Sequence, residues 1–254
     1  MIFKNKLIYL IILVFFIAKL FTLSAYKAIW WDASVYIGMG KYIYSLGNAG
    51  LWEPSRPLIW PLMLGLLPKF GVLAGMVLDI VFGSLVIFLT YLIGKEIFSE
   101  KTGLFAAFLL AISPTFFFFN GIMLTEIVST FFSLLAVYLL LRNKHFLSGV
   151  FFGAAFLTRF LQLLAFIAVV LALIYNKKFK SKIFLGFAIA VLPYLIANQI
   201  LYNNALFPFF QQLFYGAVQG KLPLSAVHSW NCIAIQKAKQ QIYCIPFDYT
   251  IFVF

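Results

Sequence analysis

The chain has 254 residues, of which 64% are hydrophobic and only 10% are charged. This composition excludes a water-soluble globular fold and indicates that lipid surrounds most of the chain. The net charge of +12 is spread in small groups between apolar runs. That distribution is typical of the cytoplasmic loops of a multi-pass membrane protein and argues against a nucleic-acid-binding protein.

Long apolar runs predict an all-α polytopic membrane protein with about seven transmembrane helices. Lys4 and Lys6 before the first run place the N-terminus in the cytoplasm. No small-residue cleavage site ends that run, so we interpret it as an uncleaved anchor. The runs long enough to cross the bilayer, or nearly so, are Leu7–Ser24, Val72–Ile93, Leu104–Phe119, Ile127–Leu141 and Ile183–Leu201.

The first outer loop is long, from about residue 25 to residue 71, and begins with the sequence Trp30-Trp31-Asp32. Aromatic residues sit well at a lipid–water boundary, so Asp32 emerges at the outer surface of the membrane. Ala33–Leu46 has the apolar stripe of a helix lying in the interface. The proline-bounded segment Leu58–Leu67 is too short to span and predicts a second surface helix.

The segment Leu147–Tyr175 lies between two basic groups that both favour the cytoplasm. Its 29 residues therefore predict a hairpin of two helices of about 20 Å each, with the turn near Thr158-Arg159. Arg159 would then face a cavity open to the outside. The alternative is one long tilted helix with Arg159 at mid-span and the four-lysine cluster outside. The hairpin gives seven crossings, a membrane module over residues 1–208, and a short non-cytoplasmic tail over residues 209–254.

Two acidic residues at the outer side have both a functional and a structural interpretation. Asp32 is a candidate for chemistry at the membrane surface, but it also stands where an N-cap of the Ala33–Leu46 helix would be. Glu126 follows Thr125 at the start of the fourth span, where a negative charge also favours the helix dipole. The sequence leaves both interpretations open.

Charged residues at or near membrane depth are the other candidates. Arg56 is either part of a site or an interfacial anchor with a snorkelling side chain. Arg159 is costly in the bilayer, and such residues usually face a cavity on a functional path. Asp79 raises the same expectation, although it can also pair with Lys19 inside the bundle.

A series of motifs from residue 32 onward resembles one superfamily of membrane enzymes. No single motif is specific, but their order and spacing over about residues 7–209 are. The motifs are Asp32 with Tyr36 four residues later, Arg56-Pro57-Leu58-Ile59-Trp60-Pro61, Tyr91–Phe98 with Gly103-Leu104 and Ser113-Pro114, Leu124-Thr125-Glu126, Gly149–Gly153 with Leu157-Thr158-Arg159, and Tyr202–Pro208.

These motifs resemble those of the glycosyltransferase C superfamily. The resemblance is closest to the branch of the dolichyl-phosphate-mannose–protein mannosyltransferases and the lipid A aminoarabinose transferases. Asp32-Ala33 departs from the Asp-Glu pair of the protein mannosyltransferases. The chain also ends soon after the conserved module, which leaves open a minimal or truncated member and one that works with a partner subunit.

The resemblance implies transfer of a sugar from a polyprenyl-phosphate carrier to a protein, lipid or glycan acceptor on the non-cytoplasmic face of the cell membrane. Asp32 would be the general base, and Arg56 and Arg159 would bind the donor phosphate. Glu126, Tyr36 and Lys41 are candidates for the acceptor side. One base predicts inversion, and the lack of an Asp-x-Asp pair predicts no metal and no cofactor.

Two other classes of protein also need charged residues facing a cavity in the membrane. A transporter or flippase of lipid-linked sugars would be expected to show inverted repeats, and the sequence shows none. A non-catalytic assembly subunit would use its short tail to bind a larger enzyme. Replacement of Asp32 by Asn distinguishes an enzyme, which would lose its activity, from a transporter, which would be much less affected.

Overall fold

The computed structural model of the chain describes residues 6–23, 29–67, 71–177 and 180–218, with side chains up to residue 213. These residues form helices and connecting turns and contain no β-strand, which confirms the predicted all-α class. The tail beyond residue 218 and its two cysteines lie outside the described residues. The helices are α1 (Lys6–Thr22), α2 (Trp31–Tyr44), α3 (Ile59–Gly65), α4 (Gly71–Ile97), α5 (Glu100–Ile112), α6 (Pro114–Phe119), α7 (Thr125–Leu141), α8 (His145–Thr158), α9 (Gln162–Tyr175), α10 (Lys182–Tyr202) and α11 (Phe207–Val218).

The chain divides into two compact units, residues 1–193 and residues 194–254. In the first unit α4 packs along α1, α5 and α7, and α7 packs along α8. In the second unit the side-chain amide of Asn198 donates to the carbonyl of Ala205 at 3.1 Å, which fixes the turn between α10 and α11. The predicted module boundary after residue 208 stays a prediction.

Two helices in the described part of the chain are long and apolar enough to cross a membrane: α4 with 27 residues and α10 with 21. Helices α7, α8 and α9 are apolar but shorter, at 17, 14 and 14 residues. Within the described residues the predicted apolar runs are helical, apart from one break in Leu104–Phe119. The predicted count of seven crossings stays a prediction.

The predicted span Leu104–Phe119 is not one helix. It divides at Ser113, whose side chain accepts a hydrogen bond from the backbone N–H of Phe116 and so caps a new helix, α6. Pro114 occupies the first turn of α6, where its missing N–H is not needed. The proline explains the break, because it cannot donate to the preceding turn of α5.

The two short helices of the first loop are present, and they pack closely on each other. A methyl group on Gly40 in α2 would lie 2.7 Å from the carbonyl oxygen of Pro61 and 2.8 Å from the Cα of Gly65 in α3. Glycine at both positions therefore allows backbone contact between the two helices. The contact brings the residues just before α3 close to α2.

Trp60 anchors the first loop to the bundle. Its indole ring is completely buried in an apolar cluster with Tyr36, Phe82 and Leu124. Its Nε1–H donates to the carbonyl of Met123 at 2.7 Å, just before α7. Burial of a whole indole with its only donor satisfied is strongly stabilising, so α3 is held against the start of α7.

Helices α8 and α9 form the predicted hairpin, and the alternative of one long helix is wrong. Helix α8 ends at Thr158 and α9 begins at Gln162. The rings of Phe152 and Phe166, on either side of the turn, are 5.5 Å apart. At 1.5 Å per residue each 14-residue helix is about 21 Å long, as the charge pattern predicts.

Candidate active site

Asp32 lies in the first turn of α2 and forms an ion pair with Arg56. The distance from its Oδ1 to Nη2 of Arg56 is 2.7 Å. The N-cap position is occupied by Trp30, and no side chain caps this helix end. The N-cap interpretation of Asp32 is therefore wrong, and its carboxylate is directed to a cation of the same loop.

Arg56 is the centre of a small network. Its Nε donates to Oε1 of Glu53 at 3.1 Å, and its Nη1 donates to the hydroxyl oxygen of Tyr36 at 3.4 Å. The hydroxyl of Ser55 donates to the same Glu53 oxygen at 3.0 Å. The side chain of Arg56 is 19% exposed and that of Asp32 is 44% exposed. Arg56 is thus held by three partners and is not a snorkelling anchor.

Electrostatics keep this guanidinium charged. Burial acts to lower the pKa of Arg56, but interactions with Glu53, Tyr36 and Asp32 outweigh it and raise the pKa above its ordinary value. The Arg56 guanidinium is therefore a permanent positive charge held between two carboxylates. The half-exposed carboxylate of Asp32 lies beside that charge.

Tyr36 connects the first loop with α7. It is buried in the same apolar cluster as Leu124 and Ile127, and its hydroxyl lies close to the side chain of Thr125. Burial raises the pKa of the Tyr36 phenol, an effect that the charge of Arg56 reduces. Tyr36 therefore stays protonated and acts as a hydrogen-bonding group between the two segments.

Arg159 forms an ion pair with Glu126, the second residue of α7. Arg159 lies in the turn of the α8–α9 hairpin, where the backbone is extended with φ of −155°. The two side chains are 32% and 40% exposed. The pair also satisfies the dipole interpretation of Glu126, because the carboxylate lies in the first turn of its helix.

A polar clamp one turn away fixes this hairpin on α7. The side-chain amide of Gln162 donates to Oγ of Ser129 at 3.1 Å and accepts from Oγ of Ser133 at 2.9 Å. Gln162 is three residues after Arg159, and Ser129 is three residues after Glu126, so the clamp and the ion pair lie side by side. Sequence reasoning missed the clamp, because a single Gln in an apolar helix has no pattern of its own.

The structure therefore brings five of the six predicted site residues into two neighbouring ion-pair networks. Asp32, Arg56 and Tyr36 belong to the first network, and Glu53 is a fourth member for which no role was predicted. Glu126 and Arg159 form the second, which joins the first where Tyr36 approaches Thr125.

Lys41, the sixth predicted residue, lies apart from both networks. It is exposed in the last turn of α2, nine residues after Asp32. Nine residues of α-helix correspond to about 13 Å along the axis. The structure thus places Lys41 at the other end of α2 from Asp32.

This arrangement of charges is suited to binding an anionic ligand next to a second group that loses a proton. Two guanidinium groups bind a phosphate well, since their planar forks match its oxygens. Asp32 and Glu126 provide exposed carboxylate oxygens next to those cations. In the structure these two carboxylates occupy the guanidinium groups.

A protein-family model described as dolichyl-phosphate-mannose-protein mannosyltransferase matches residues 55–201, which is more than half of the chain. The match includes Arg56, Glu126 and Arg159, whereas Asp32 and Tyr36 precede it. No curated protein and no solved structure matches the chain.

Proposed function

Because the chain belongs to the dolichyl-phosphate-mannose-protein mannosyltransferase family, a family of membrane glycosyltransferases of the GT-C type, we propose that it transfers a sugar from a polyprenyl- or dolichyl-phosphate carrier. The acceptor is a protein, lipid or glycan on the non-cytoplasmic face, and the anomeric centre is inverted. The observation that supports this most is the Asp32–Arg56 ion pair, which sets a partly exposed carboxylate beside a permanent cation.

The donor phosphate binds between Arg56 and Arg159 in this proposal. Charge-assisted hydrogen bonds from guanidinium groups are strong, and they strengthen as negative charge develops on the leaving phosphate. A phosphate at Arg56 also competes with Asp32 for the guanidinium. Donor binding would therefore release the carboxylate of Asp32 for use as a base.

The reaction is a single displacement at the anomeric carbon. The acceptor hydroxyl or amine forms the new bond to this carbon, while the bond from the carbon to the phosphate oxygen breaks. Asp32 takes the acceptor's proton, and the electron pair of the broken bond leaves with the polyprenyl phosphate. Phosphate is a good leaving group and needs no general acid, so one base is enough and inversion follows.

In this proposal Glu126 and Tyr36 form the part of the site that binds the acceptor. Lys41 is the candidate that lies at the other end of α2 from Asp32. Glu126 is exposed enough to accept a hydrogen bond from an acceptor while it orients Arg159. The protonated phenol of Tyr36 offers a neutral hydrogen-bonding group next to Arg56. Both roles depend on the position of the acceptor between the two ion pairs.

The proposed topology is a multi-pass cell-membrane protein with a cytoplasmic N-terminus and the site on the outer face. The α8–α9 hairpin supports it, because both basic flanks then stay on one side. The polyprenyl tail reaches the site laterally from the surrounding membrane lipids. A partner subunit can add contacts to the acceptor without a change in this chemistry.

The deciding experiment uses the protein in membranes with a panel of radiolabelled polyprenyl-phosphate sugars. We expect label from at least one donor to move to an acceptor, and Asp32→Asn to reduce the rate by about 10²–10⁴-fold. Glu53→Gln is the matched control, since it also removes a carboxylate from Arg56. We expect it to reduce the transfer rate by about tenfold or less. Equal losses in the two variants would contradict a base at position 32. Sugar-lipid movement across the membrane without transfer would support a flippase instead.

A further inference from the structure

Asp79 is a buried acid for which the proposed reaction has no direct use. It lies in the third turn of α4 and is completely buried. Of the acidic residues in the described part of the chain, it alone is in the buried class. A carboxylate at that depth is costly unless its oxygens find donors, so its contacts indicate what it is for.

The carboxylate of Asp79 binds the segment that leads into α7. Its Oδ2 accepts hydrogen bonds from the backbone N–H of Gly121 at 2.8 Å and of Met123 at 3.2 Å. The side chain of Asn120 donates to the backbone carbonyl of Asp79 at 2.8 Å. Residues 120–123 are thus tied to one turn of α4.

The backbone of this segment has two residues with positive φ. Gly121 has φ of 88° and Met123 has φ of 60°, both in the left-handed region. Glycine tolerates this region, but methionine pays a steric cost there. The hydrogen bonds to Asp79 offset that cost, because without the carboxylate two buried N–H groups would lack an acceptor.

The same segment joins the two ion-pair networks. Glu126 is three residues after Met123, whose carbonyl accepts the indole N–H of Trp60. Trp60 in turn follows Arg56 by four residues and is completely buried. The conformation of residues 120–123 therefore sets where α7 begins relative to the Arg56 segment.

We propose that Asp79 is a positioning residue: its buried carboxylate holds residues 120–123 so that Glu126 meets Arg159 beside the Arg56 network. The expected effect of Asp79 on transfer rests on the proposed function. Its role in holding residues 120–123 rests on these contacts alone. Asp79 itself lies behind the segment and does not touch the reacting groups.

A thiol-labelling experiment tests the structural part without any activity. Thr125 is 4% exposed, so a cysteine there should react slowly with a water-soluble maleimide in a variant with Cys232 and Cys244 replaced by Ser. We expect Asp79→Leu, which removes the accepting Oδ2 at similar volume, to speed labelling at Thr125→Cys by about tenfold or more. Asp79→Asn keeps one acceptor oxygen, and we expect it to speed labelling at Thr125→Cys by about threefold.

A second cysteine separates local release from general loosening. Ser148 in α8 is completely buried and of nearly the same size as cysteine. Labelling of Ser148→Cys should not change when Asp79 is replaced. Equal acceleration at both positions, or none at position 125, would overturn the inference. If Asp79→Leu does not fold, the labelling rates at positions 125 and 148 in Asp79→Asn provide the same test.

The functional part is tested by a double-mutant cycle on transfer. We expect Asp79→Asn to lower the turnover by about tenfold in the otherwise native protein, but by less than about twofold in Glu126→Gln, since its effect passes through Glu126. Full additivity would overturn the positioning role. If the native protein transfers no sugar from any donor, the proposed function fails, while the labelling rates still decide on Asp79.

Discussion

Helix α7 has an Arg–Glu ion pair at each end, and the two pairs differ in their surroundings. At its C-terminal end Arg142 contacts Glu96 of α4 at 3.4 Å, with side chains 51% and 40% exposed. At its N-terminal end, about 25 Å away, Glu126 pairs with Arg159. The second pair is flanked by the Gln162 clamp and by Tyr36, whereas the first lies among the basic residues of a predicted cytoplasmic loop.

An Arg–Glu ion pair at a helix end does not by itself indicate a functional site. A cation beside the C-terminus of a helix is favourable by itself, and an exposed pair adds little. The Arg142–Glu96 pair is fully explained in that way. At the other end, the hydrogen bonds of Gln162 hold the hairpin that carries Arg159 against α7, which carries Glu126, and such preorganisation is what the proposed phosphate chemistry needs.

Replacement of the two arginines should give the largest contrast. We expect Arg159→Ala to lower the transfer rate by about 10²–10³-fold, because the donor phosphate loses one of its two guanidinium groups. Arg142→Ala should change the rate by less than about twofold, since it removes only an exposed pair. Radiolabel transfer by equal amounts of folded protein measures both. Similar losses would contradict the assignment of the site to one end of α7.

Replacement of the two glutamates should give a smaller contrast. Glu126→Gln removes a charge-assisted bond that orients Arg159, and we expect a loss of about ten- to a hundredfold. Glu96→Gln should have an effect of less than about twofold. The affinity for the donor and the turnover should be measured separately. A loss in Glu126→Gln that is confined to protein yield would assign it to the helix dipole alone.

Two tyrosines make the comparison finer. Tyr36 accepts from Arg56 at 3.4 Å, and Tyr91 accepts from Lys95 at 3.3 Å near the opposite end of the bundle. We expect Tyr36→Phe to reduce transfer by about two- to tenfold, because the hydrogen bond from Arg56 within the first network is lost. Tyr91→Phe should leave the transfer rate unchanged within error. The reverse order would contradict a link through Tyr36.

Much of this arrangement could be predicted from local sequence. The hairpin turn at Arg159 follows from charge, because two basic flanks require an even number of crossings between them. The position of Asp32 at the start of a helix follows from the end of the first apolar run. The break at Ser113-Pro114 was not predicted, although a proline after a capping serine is typical of a helix start.

The partners of the charged residues could not be predicted. Arg56 pairs with Asp32 across 24 residues, because Gly40 and Gly65 let α2 and α3 touch. Gln162 reaches Ser129 across 33 residues through the packing of α7 against α9. Such contacts depend on tertiary packing, for which neither residue spacing nor hydrophobic periodicity gives a signal.

Chelation of divalent cations should change the transfer rate least of all these treatments. The reason lies in the charges of the Arg56 network. A sugar-nucleotide enzyme uses a carboxylate-bound cation to neutralise phosphate, whereas in the proposed reaction Arg56 and Arg159 supply that charge. Ala33 and Ser34 follow Asp32, so the local sequence has no Asp-x-Asp pair of the kind that holds Mg²⁺. A cation at Asp32 would also lie within repulsive range of the Arg56 guanidinium, 2.7 Å from that carboxylate. We therefore expect EDTA to change the transfer rate by less than about twofold. A loss of activity that Mg²⁺ or Mn²⁺ restores would show that the two guanidinium groups do not suffice for the donor phosphate.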